Sequence, residues 1–159
     1  MFYFLVIKDE YINNIMSVYN ASGPRCTTLD ELKEIDNSEA SMVLTKSATL
    51  FSREGNPKPR YYDDKYGSIN SMGLPNKGID YYISIANEFK KSYIISVSGL
   101  NLEENLIIID KIICSLSTQK IYGIEINLSC PNIVGKGQLA YNFDELDNYL
   151  SNIFKKLEN

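Results

Sequence analysis

The amino-acid sequence predicts an α/β fold in which helices flank a parallel sheet. Strand-like and helix-like patterns alternate along the chain, and the strand bodies are apolar while their ends are small and polar. Such alternation is typical of parallel sheets, because a parallel connection needs a crossover that a helix supplies. The pattern fits both a closed barrel and an open, doubly wound sheet.

The first predicted elements lie in the N-terminal half of the chain. We expect a short strand at residues 17–20, a helix at 28–36 with three apolar residues on one face, and a strand at 41–46. A long irregular loop follows, at about 48–77. Loops of this length are uncommon in compact domains and are often functional. The alternative is a surface excursion stiffened by three prolines.

The second half continues the alternation. We expect a helix at residues 78–90, a strand at 93–97, a helix at 101–116, a strand at 120–127 and a final helix at 142–157. Three helices share one start signal, a Thr or Asn three residues before a Glu, which lets the two side chains bond the free backbone N–H groups. The pairs are Thr28 with Glu31, Asn101 with Glu104, and Asn142 with Glu145.

Composition and charge exclude several classes of protein. The 159 residues are 44% apolar and carry a net charge of −4, with no run of Lys and Arg, which argues against a nucleic-acid partner. Residues 1–7 are apolar but lack a basic flank and are too short to span a bilayer, so we expect no membrane partner and no signal peptide.

The cysteines predict free thiols in a reducing, cytoplasmic compartment, since the three do not form a Cys-x-x-Cys pair. Cys114 lies in an apolar helical pattern and is expected in the core, whereas Cys26 lies in a polar turn. The chain has no histidine, which excludes His-based nucleophilic catalysis and most zinc sites. We predict no metal site.

The strand ends are the predicted functional site, because working groups of parallel α/β folds lie at the carboxyl ends of the strands. In residues 124–132, Cys130 stands between two amides, Asn127 and Asn132. The amides could fix a small planar polar substrate while the thiol takes or gives a proton. An isolated thiol could equally serve packing, but this setting favours chemistry.

Two further segments are candidate binding groups. Residues 70–76 combine amides, a glycine and few charges, and backbone N–H groups around Gly73 could receive a carboxylate. Lys46 ends an apolar strand, where a lysine usually extends to solvent. Beside the other strand ends, Lys46 becomes a candidate contact for an anion or a flavin.

Five segments of the chain carry a recognisable pattern: residues 20–23, 45–47, 53–60, 70–76 and 127–132. Taken in order, they resemble class 1A dihydroorotate dehydrogenase. Cysteine at position 130, where the membrane-bound class 2 enzymes have serine, indicates class 1, and the Ser-Met-Gly-Leu-Pro-Asn form of residues 71–76 indicates the 1A branch.

The resemblance implies an FMN-dependent (β/α)8 TIM barrel, usually a cytosolic homodimer. It would oxidise (S)-dihydroorotate to orotate in de novo pyrimidine biosynthesis, with fumarate as the usual electron acceptor. By this resemblance Cys130 is the catalytic residue, which removes the C5 proton while C6 delivers hydride to flavin N5. An FMN enzyme of pyrimidine reduction is a weaker alternative, which the 70–76 loop and Asn132 disfavour.

The resemblance also implies the binding residues. Lys46 would bridge substrate and flavin, and Asn127 would contact both. The implied substrate-binding set is Lys46, Asn70, Ser71, Met72, Gly73, Leu74, Asn127 and Asn132. The implied cofactor-binding set is Ala21, Ser22, Gly23, Lys46, Ser47 and Asn127.

A barrel of this type takes roughly 250 residues. The resemblance therefore implies that residues 1–159 form the N-terminal half of one barrel domain, about its first four βα units, with no second domain. The alternatives to a working enzyme are a truncated, non-catalytic fragment and one part of a split enzyme completed by a C-terminal half. Self-pairing of two halves is a further alternative. We expect the chain alone to bind FMN weakly or not at all.

Overall fold

The computed structural model describes residues 3–7, 18–128 and 139–158, and for residues 3–7 it describes the backbone. Its main sheet has four strands, in the spatial order β1, β6, β5, β2. The strands are β1 (Tyr3–Ile7), β2 (Met42–Leu44), β5 (Ser92–Val97) and β6 (Ile121–Asn127), and a separate pair is formed by β3 (Tyr61–Asp64) and β4 (Gly67–Asn70).

The centre of the sheet is parallel, as predicted. β5 pairs with β2 on one side and with β6 on the other, both in parallel, and Ser96 lies opposite Glu125. The helices are α1 (Leu29–Asp36), α2 (Ile79–Ser84), α3 (Leu102–Ser115) and α4 (Phe143–Leu157).

One face of the sheet forms the hydrophobic core with the helices. Ile95 and Val97 of β5 and Ile124 and Ile126 of β6 belong to this core. The predicted apolar face of α3 packs against it, with Ile108, Ile109 and Ile112 fully buried. Because side chains alternate along a strand, Leu44, Ile94, Ser96, Glu125 and Asn127 share the opposite face. That second face carries the polar groups of the site.

The predicted helix starts are confirmed. Thr28 caps α1 with a complete capping box, in which Glu31 returns a bond to the backbone N–H of Thr28. Asn101 and Asn142 cap α3 and α4 by accepting from the N–H groups of Glu104 (2.8 Å) and Glu145 (3.4 Å). These caps fix where each helix leaves the sheet.

The N-terminal strand joins the sheet in an unexpected direction. β1 runs antiparallel to β6, with Tyr3 opposite Asn127 and Ile7 opposite Gly123. The sheet is therefore mixed, and β1 covers the β6 edge that a further parallel strand would take in a barrel.

The prediction of a strand at residues 17–20 is wrong for residues 18–20, which do not form a strand. Ser17 lies outside the described residues. The Asn20 side chain takes the place of strand pairing. Its Oδ1 accepts from Leu44 N–H (2.9 Å) and its Nδ2 donates to Leu44 C=O (2.7 Å). A single amide thus satisfies both backbone polar groups of Leu44, the last residue of β2.

The loop predicted at 48–77 contains regular structure that the sequence pattern did not indicate. β3 and β4 form an antiparallel hairpin in which Tyr62 lies opposite Ile69. Every residue of both strands is exposed. The hairpin therefore has no buried face. A strand without a buried face does not need alternating apolar and polar residues, so the sequence carried no strand signal here.

Three smaller expectations also need correction. The helix predicted at 78–90 is a short α2 followed by a 3₁₀ turn, Ala86–Glu88. Cys114 is exposed rather than in the core, whereas Cys26 is buried. Phe143, placed on the apolar stripe of the last helix, is 78% exposed, while Ile153 of that stripe is buried.

No helix among residues 18–128 and 139–158 is long and apolar enough to cross a membrane.

Candidate functional site

A row of three buried serine hydroxyls lies at the carboxyl ends of the parallel strands. The Ser47 hydroxyl is 2.9 Å from that of Ser22 and 3.0 Å from that of Ser96. Ser47 N–H also donates to Ser22 Oγ (2.7 Å), and the Asn127 amide donates to Ser47 Oγ (3.2 Å). We call Ser22, Ser47 and Ser96 the hydroxyl row. Together with Asn127, the row links four segments that are distant in sequence.

Lys46 adds a cation to this site. Its side chain is buried, with 7% exposure, and its ammonium donates to Ser22 C=O (3.3 Å). Its backbone N–H donates to Cys26 C=O (2.8 Å), which anchors the residue after β2. The predicted strand-end lysine therefore points inward instead of extending to solvent.

Glu125 lies beside the other end of the hydroxyl row. It lies opposite Ser96 in the register of β5 and β6 and is 6% exposed. Burial raises the pKa of its carboxyl group, and a hydrogen bond from Ser96 partly offsets this rise. Among the described residues, Glu125 Oε1 has no hydrogen-bond partner.

Cys26 is a structural neighbour of this site and is not a reactive thiol. Burial raises the pKa of the thiol to about 11, which Lys46 partly offsets. Its Sγ donates to Gly23 C=O (3.3 Å). A neutral, buried thiol is a poor nucleophile, so Cys26 supports the loop that carries Ser22 and Gly23.

The predicted carboxylate-binding loop lies at the end of the exposed hairpin. Asn70 and Ser71 are exposed, whereas Gly73 and Leu74 are buried. Ser71 N–H bonds Arg60 C=O (2.9 Å) and Met72 N–H bonds Asn70 Oδ1 (3.4 Å). In the part of the chain that the structure describes, the N–H groups of Gly73 and Leu74 have no such partner. Both residues have positive φ angles, +72° and +56°.

Gly73 is required by close packing as well as by its φ angle. A Cβ atom there would lie 2.4 Å from Asn56 Oδ1 and 2.7 Å from the Asn56 backbone nitrogen. The loop can pass Asn56 only without a side chain at this position.

The base of the loop is tied to the strand end by a buried amide. Asn76 accepts from the N–H groups of Thr49 (3.2 Å) and Gly78 (2.8 Å). It also donates to the Thr49 hydroxyl and to Leu74 C=O, both at 2.9 Å. Thr49 follows Lys46 by three residues, so this junction sets the loop beside the site.

The structure brings together Ser22, Lys46, Ser47 and Asn127 among the predicted residues. Ala21 and Gly23 flank Ser22, and Ala21 is exposed. No hydrogen bond within the described ranges joins residues 71–74 to the hydroxyl row. Cys130 and Asn132 lie outside the described residues.

Sequence reasoning missed Ser96 and Glu125. Each is a polar residue inside an apolar strand, in the segments Tyr-Ile-Ile-Ser-Val and Ile-Glu-Ile-Asn. A buried polar residue in a strand interior needs partners on the same face, and this signal could have found both residues.

The site suits a planar group with polar edges. Its lining offers hydroxyls, an amide and an ammonium, and Ser98 Oγ and Glu125 Oε1 are buried without a partner among the described residues. Hydroxyls, an amide and an ammonium can bond the polar edges of such a group. Residues 18–128 and 139–158 hold no cluster of three or more His, Cys, Asp or Glu side chains placed for a metal ion.

Comparison with known proteins identifies the family. The sequence model of dihydroorotate dehydrogenase matches residues 4–159. A Streptococcus agalactiae protein, named by inference dihydroorotate dehydrogenase A (fumarate), is 51% identical over 85% of this chain and 44% of its own length. The dihydroorotate dehydrogenase (fumarate) of Saccharomyces cerevisiae is 46% identical over 93% of this chain and 47% of its own.

The match is strong but covers part of each relative. The dihydroorotate dehydrogenase (fumarate) of Saccharomyces bayanus is 49% identical over 93% of this chain and again 47% of its own length. The chain thus spans about half the length of the curated relatives it matches. Since the family model matches nearly all of its residues, the chain belongs to the dihydroorotate dehydrogenase family.

Proposed function

We propose that this chain carries the flavin- and substrate-facing residues of a fumarate-type dihydroorotate dehydrogenase. The observation that supports this most directly is the meeting of Lys46, Ser22, Ser47 and Asn127 at the carboxyl ends of parallel strands. The family is flavin-dependent, and we propose FMN as the flavin and fumarate as the electron acceptor.

The chain's own residues would hold the flavin ring. Ser22, Ser47 and Asn127 offer hydrogen bonds, Ala21 and Gly23 leave room beside them, and Lys46 supplies a positive charge. FMN, when bound, would supply a two-electron acceptor for the hydride of the substrate. Because Lys46 is buried, its charge acts where water screens it little.

The substrate would lie between the strand ends and the loop at 70–74. The N–H groups of Gly73 and Leu74 would receive the carboxylate, with Asn70, Ser71 and Met72 beside them. Asn127 and Asn132 would orient the ring, and Cys130 would accept the proton as general base. A thiol must lose its own proton before it can accept one from the substrate.

The proposed function is tested by the visible spectrum of the purified chain. After incubation with FMN and desalting, flavin bands that remain and bleach when dihydroorotate is added without air would support the proposal. A folded sample of the chain alone that retains no flavin would agree with the weak binding expected above and would leave the non-catalytic fragment and the split enzyme as the two readings. The same test repeated with a C-terminal half taken from a relative would examine the split-enzyme alternative.

A matched pair of lysine variants makes the test specific. Lys46→Met should lower flavin retention and bleaching, because it removes the buried charge while keeping the side-chain volume. Lys120→Met should change neither, since Lys120 is exposed at the opposite end of β6. Equal behaviour of the two variants would remove Lys46 from the proposed site.

The alternative is a non-catalytic fragment that keeps the site residues. This alternative is compatible with the comparisons, because the chain matches only about half the length of each relative. A complete family member would be expected to form a homodimer, and we propose the same for any assembly in which this chain is active. Gel filtration with flavin absorbance recorded on the eluate separates an active assembly from an inactive chain.

A further inference from the structure

The hydroxyl row ends at a carboxyl group to which the proposed function gives no task. Glu125 is buried beside Ser96, and the row connects Ser96 through Ser47 to Ser22 and Asn127. A hydroxyl donates one hydrogen bond, so a row of hydroxyls has a direction that is fixed by the group at its end.

We propose that Glu125 is a positioning residue: its carboxyl group sets the direction of the hydroxyl row and thereby decides whether Ser22 offers a ligand a hydrogen-bond donor. The inference depends on the proposed function for the identity of the ligand, but the row and its direction can be tested without one.

An ionised Glu125 orders the row in one direction. Ser96, which lies opposite Glu125 in the register of β5 and β6, then donates its O–H to the carboxylate, and Ser47 O–H donates to Ser96 Oγ. Ser47 Oγ accepts from the Asn127 amide and from Ser22 O–H. The Ser22 hydrogen is used inside the protein in this state.

A neutral Glu125 reverses the order. One carboxyl oxygen faces Ser96, whereas Oε1 has no partner among the described residues, so the proton is better placed on the oxygen that can donate to Ser96. Ser96 O–H then donates to Ser47, and Ser47 O–H donates to Ser22 Oγ. The Ser22 hydrogen becomes available to a ligand.

Few charged groups surround this carboxyl group. Lys46 and the thiol of Cys26 lie on the side of β2, and Cys26 is close enough to interact electrostatically with both Lys46 and Glu125. On the other side, β1 places Leu5 opposite Glu125 and contains Tyr3 as its single titratable residue. The raised pKa of Cys26 keeps its thiol neutral near pH 7, so the thiol adds no charge beside the carboxyl group.

The first experiment follows the row in the chain without flavin. The carbon-13 signal of the Glu125 carboxyl group and the side-chain amide signals of Asn127 are recorded by NMR between pH 4 and 9. We expect the Asn127 amide to shift with the same midpoint as Glu125. In Ser96→Ala, Glu125 should still titrate, at a higher pH, while the Asn127 shift is lost because the row is interrupted.

Three results would overturn the inference. The first is an Asn127 shift that persists in Ser96→Ala, since the carboxyl charge would then act through space. The second is a wild-type Asn127 that does not respond while Glu125 titrates. The third is a Glu125 that keeps one form across the range. Should Ser96→Ala fail to fold, Glu125→Gln removes the titration itself and must also abolish the Asn127 shift.

The second experiment measures FMN affinity against pH by fluorescence quenching. In the wild type the dissociation constant should change by about threefold to tenfold across the Glu125 midpoint, the effect of one net hydrogen bond, and in Glu125→Gln it should not. A wild type that binds no FMN agrees with the weak binding expected of the chain alone and restricts the proposed function to an assembly with a C-terminal half, while the NMR result still decides the inference. An FMN affinity with the same pH dependence in both proteins contradicts the inference alone.

Discussion

The hydroxyl row and the exposed hairpin contribute to one proposed site but are built in opposite ways. In the row, Ser22, Ser47 and Ser96 are buried, and Ser47 bonds the other two. In the hairpin, Tyr62 is 64% exposed and Ile69 is 72% exposed, although they pair across the strands. The hairpin joins the body through Asn76 at its base.

The difference shows how each region responds to change. The row has no solvent to replace a lost partner, so altering one group leaves another unsatisfied. The hairpin surface is already solvated, and changes there cost little unless they reach its base or its glycine. Stability should therefore depend on the row and the junction, while the hairpin surface is free to vary.

The largest effect is expected at the junction. Asn76→Ala removes four hydrogen bonds at a residue that is 3% exposed, and should lower the free energy of unfolding by about 3 kcal/mol. Urea unfolding followed by circular dichroism measures this. Asn87→Ala is the matched control, since Asn87 makes two bonds at an exposed site and should cost about 1 kcal/mol. Equal losses would show that the junction does not stabilise the chain.

A smaller loss is expected where the loop passes Asn56. Gly73→Ala places a Cβ atom 2.4 Å from Asn56 Oδ1 at a φ of +72°, and should cost about 2 kcal/mol. Gly23→Ala is the control for stability, because its Cβ would meet nothing nearer than 3.7 Å. Both are compared by the midpoint of urea unfolding. A Gly73→Ala midpoint equal to that of Gly23→Ala would mean that the loop can rearrange without cost.

Glu125 should make the free energy of unfolding depend on pH. Its pKa is raised in the folded protein by burial, so the folded state holds the proton more tightly than the unfolded state. Between the unfolded and folded pKa values, stability must fall as pH rises, by at most about 1.4 kcal/mol per pH unit.

Glu125→Gln removes this dependence. The variant should gain stability relative to the wild type as pH rises above about 4.5, the ordinary pKa of the group, until the folded pKa is passed. Urea midpoints measured at several pH values provide the comparison. If the urea midpoints of the two proteins changed with pH in the same way, Glu125 would have the same pKa in the folded and unfolded chains.

The smallest effect is expected on the hairpin surface. Ile69→Thr keeps a β-branched side chain opposite Tyr62 and should change the free energy of unfolding by less than about 0.5 kcal/mol. The same urea assay measures it. A loss above 1.5 kcal/mol would show that the exposed hairpin face is covered in solution and would break the contrast between the two regions.

Much of the local structure follows from the sequence. The caps Thr28, Asn101 and Asn142 placed three helix starts correctly, because capping depends on residues within one turn. The apolar runs of β5 and β6 likewise predicted the centre of the sheet. Of the site, Ser22, Lys46, Ser47 and Asn127 were predicted and do meet.

The remaining features depend on contacts between distant segments. The sequence by itself determined the helix starts, the parallel strands and the polar strand ends, since each is encoded by neighbouring residues. Only the tertiary structure decided that β1 runs antiparallel beside β6, that the Asn20 amide replaces a strand, and that Ser96 lies opposite Glu125. The physical reason is that strand partner and register are set by packing across the sheet, and a shift of one residue would turn Glu125 away from the row.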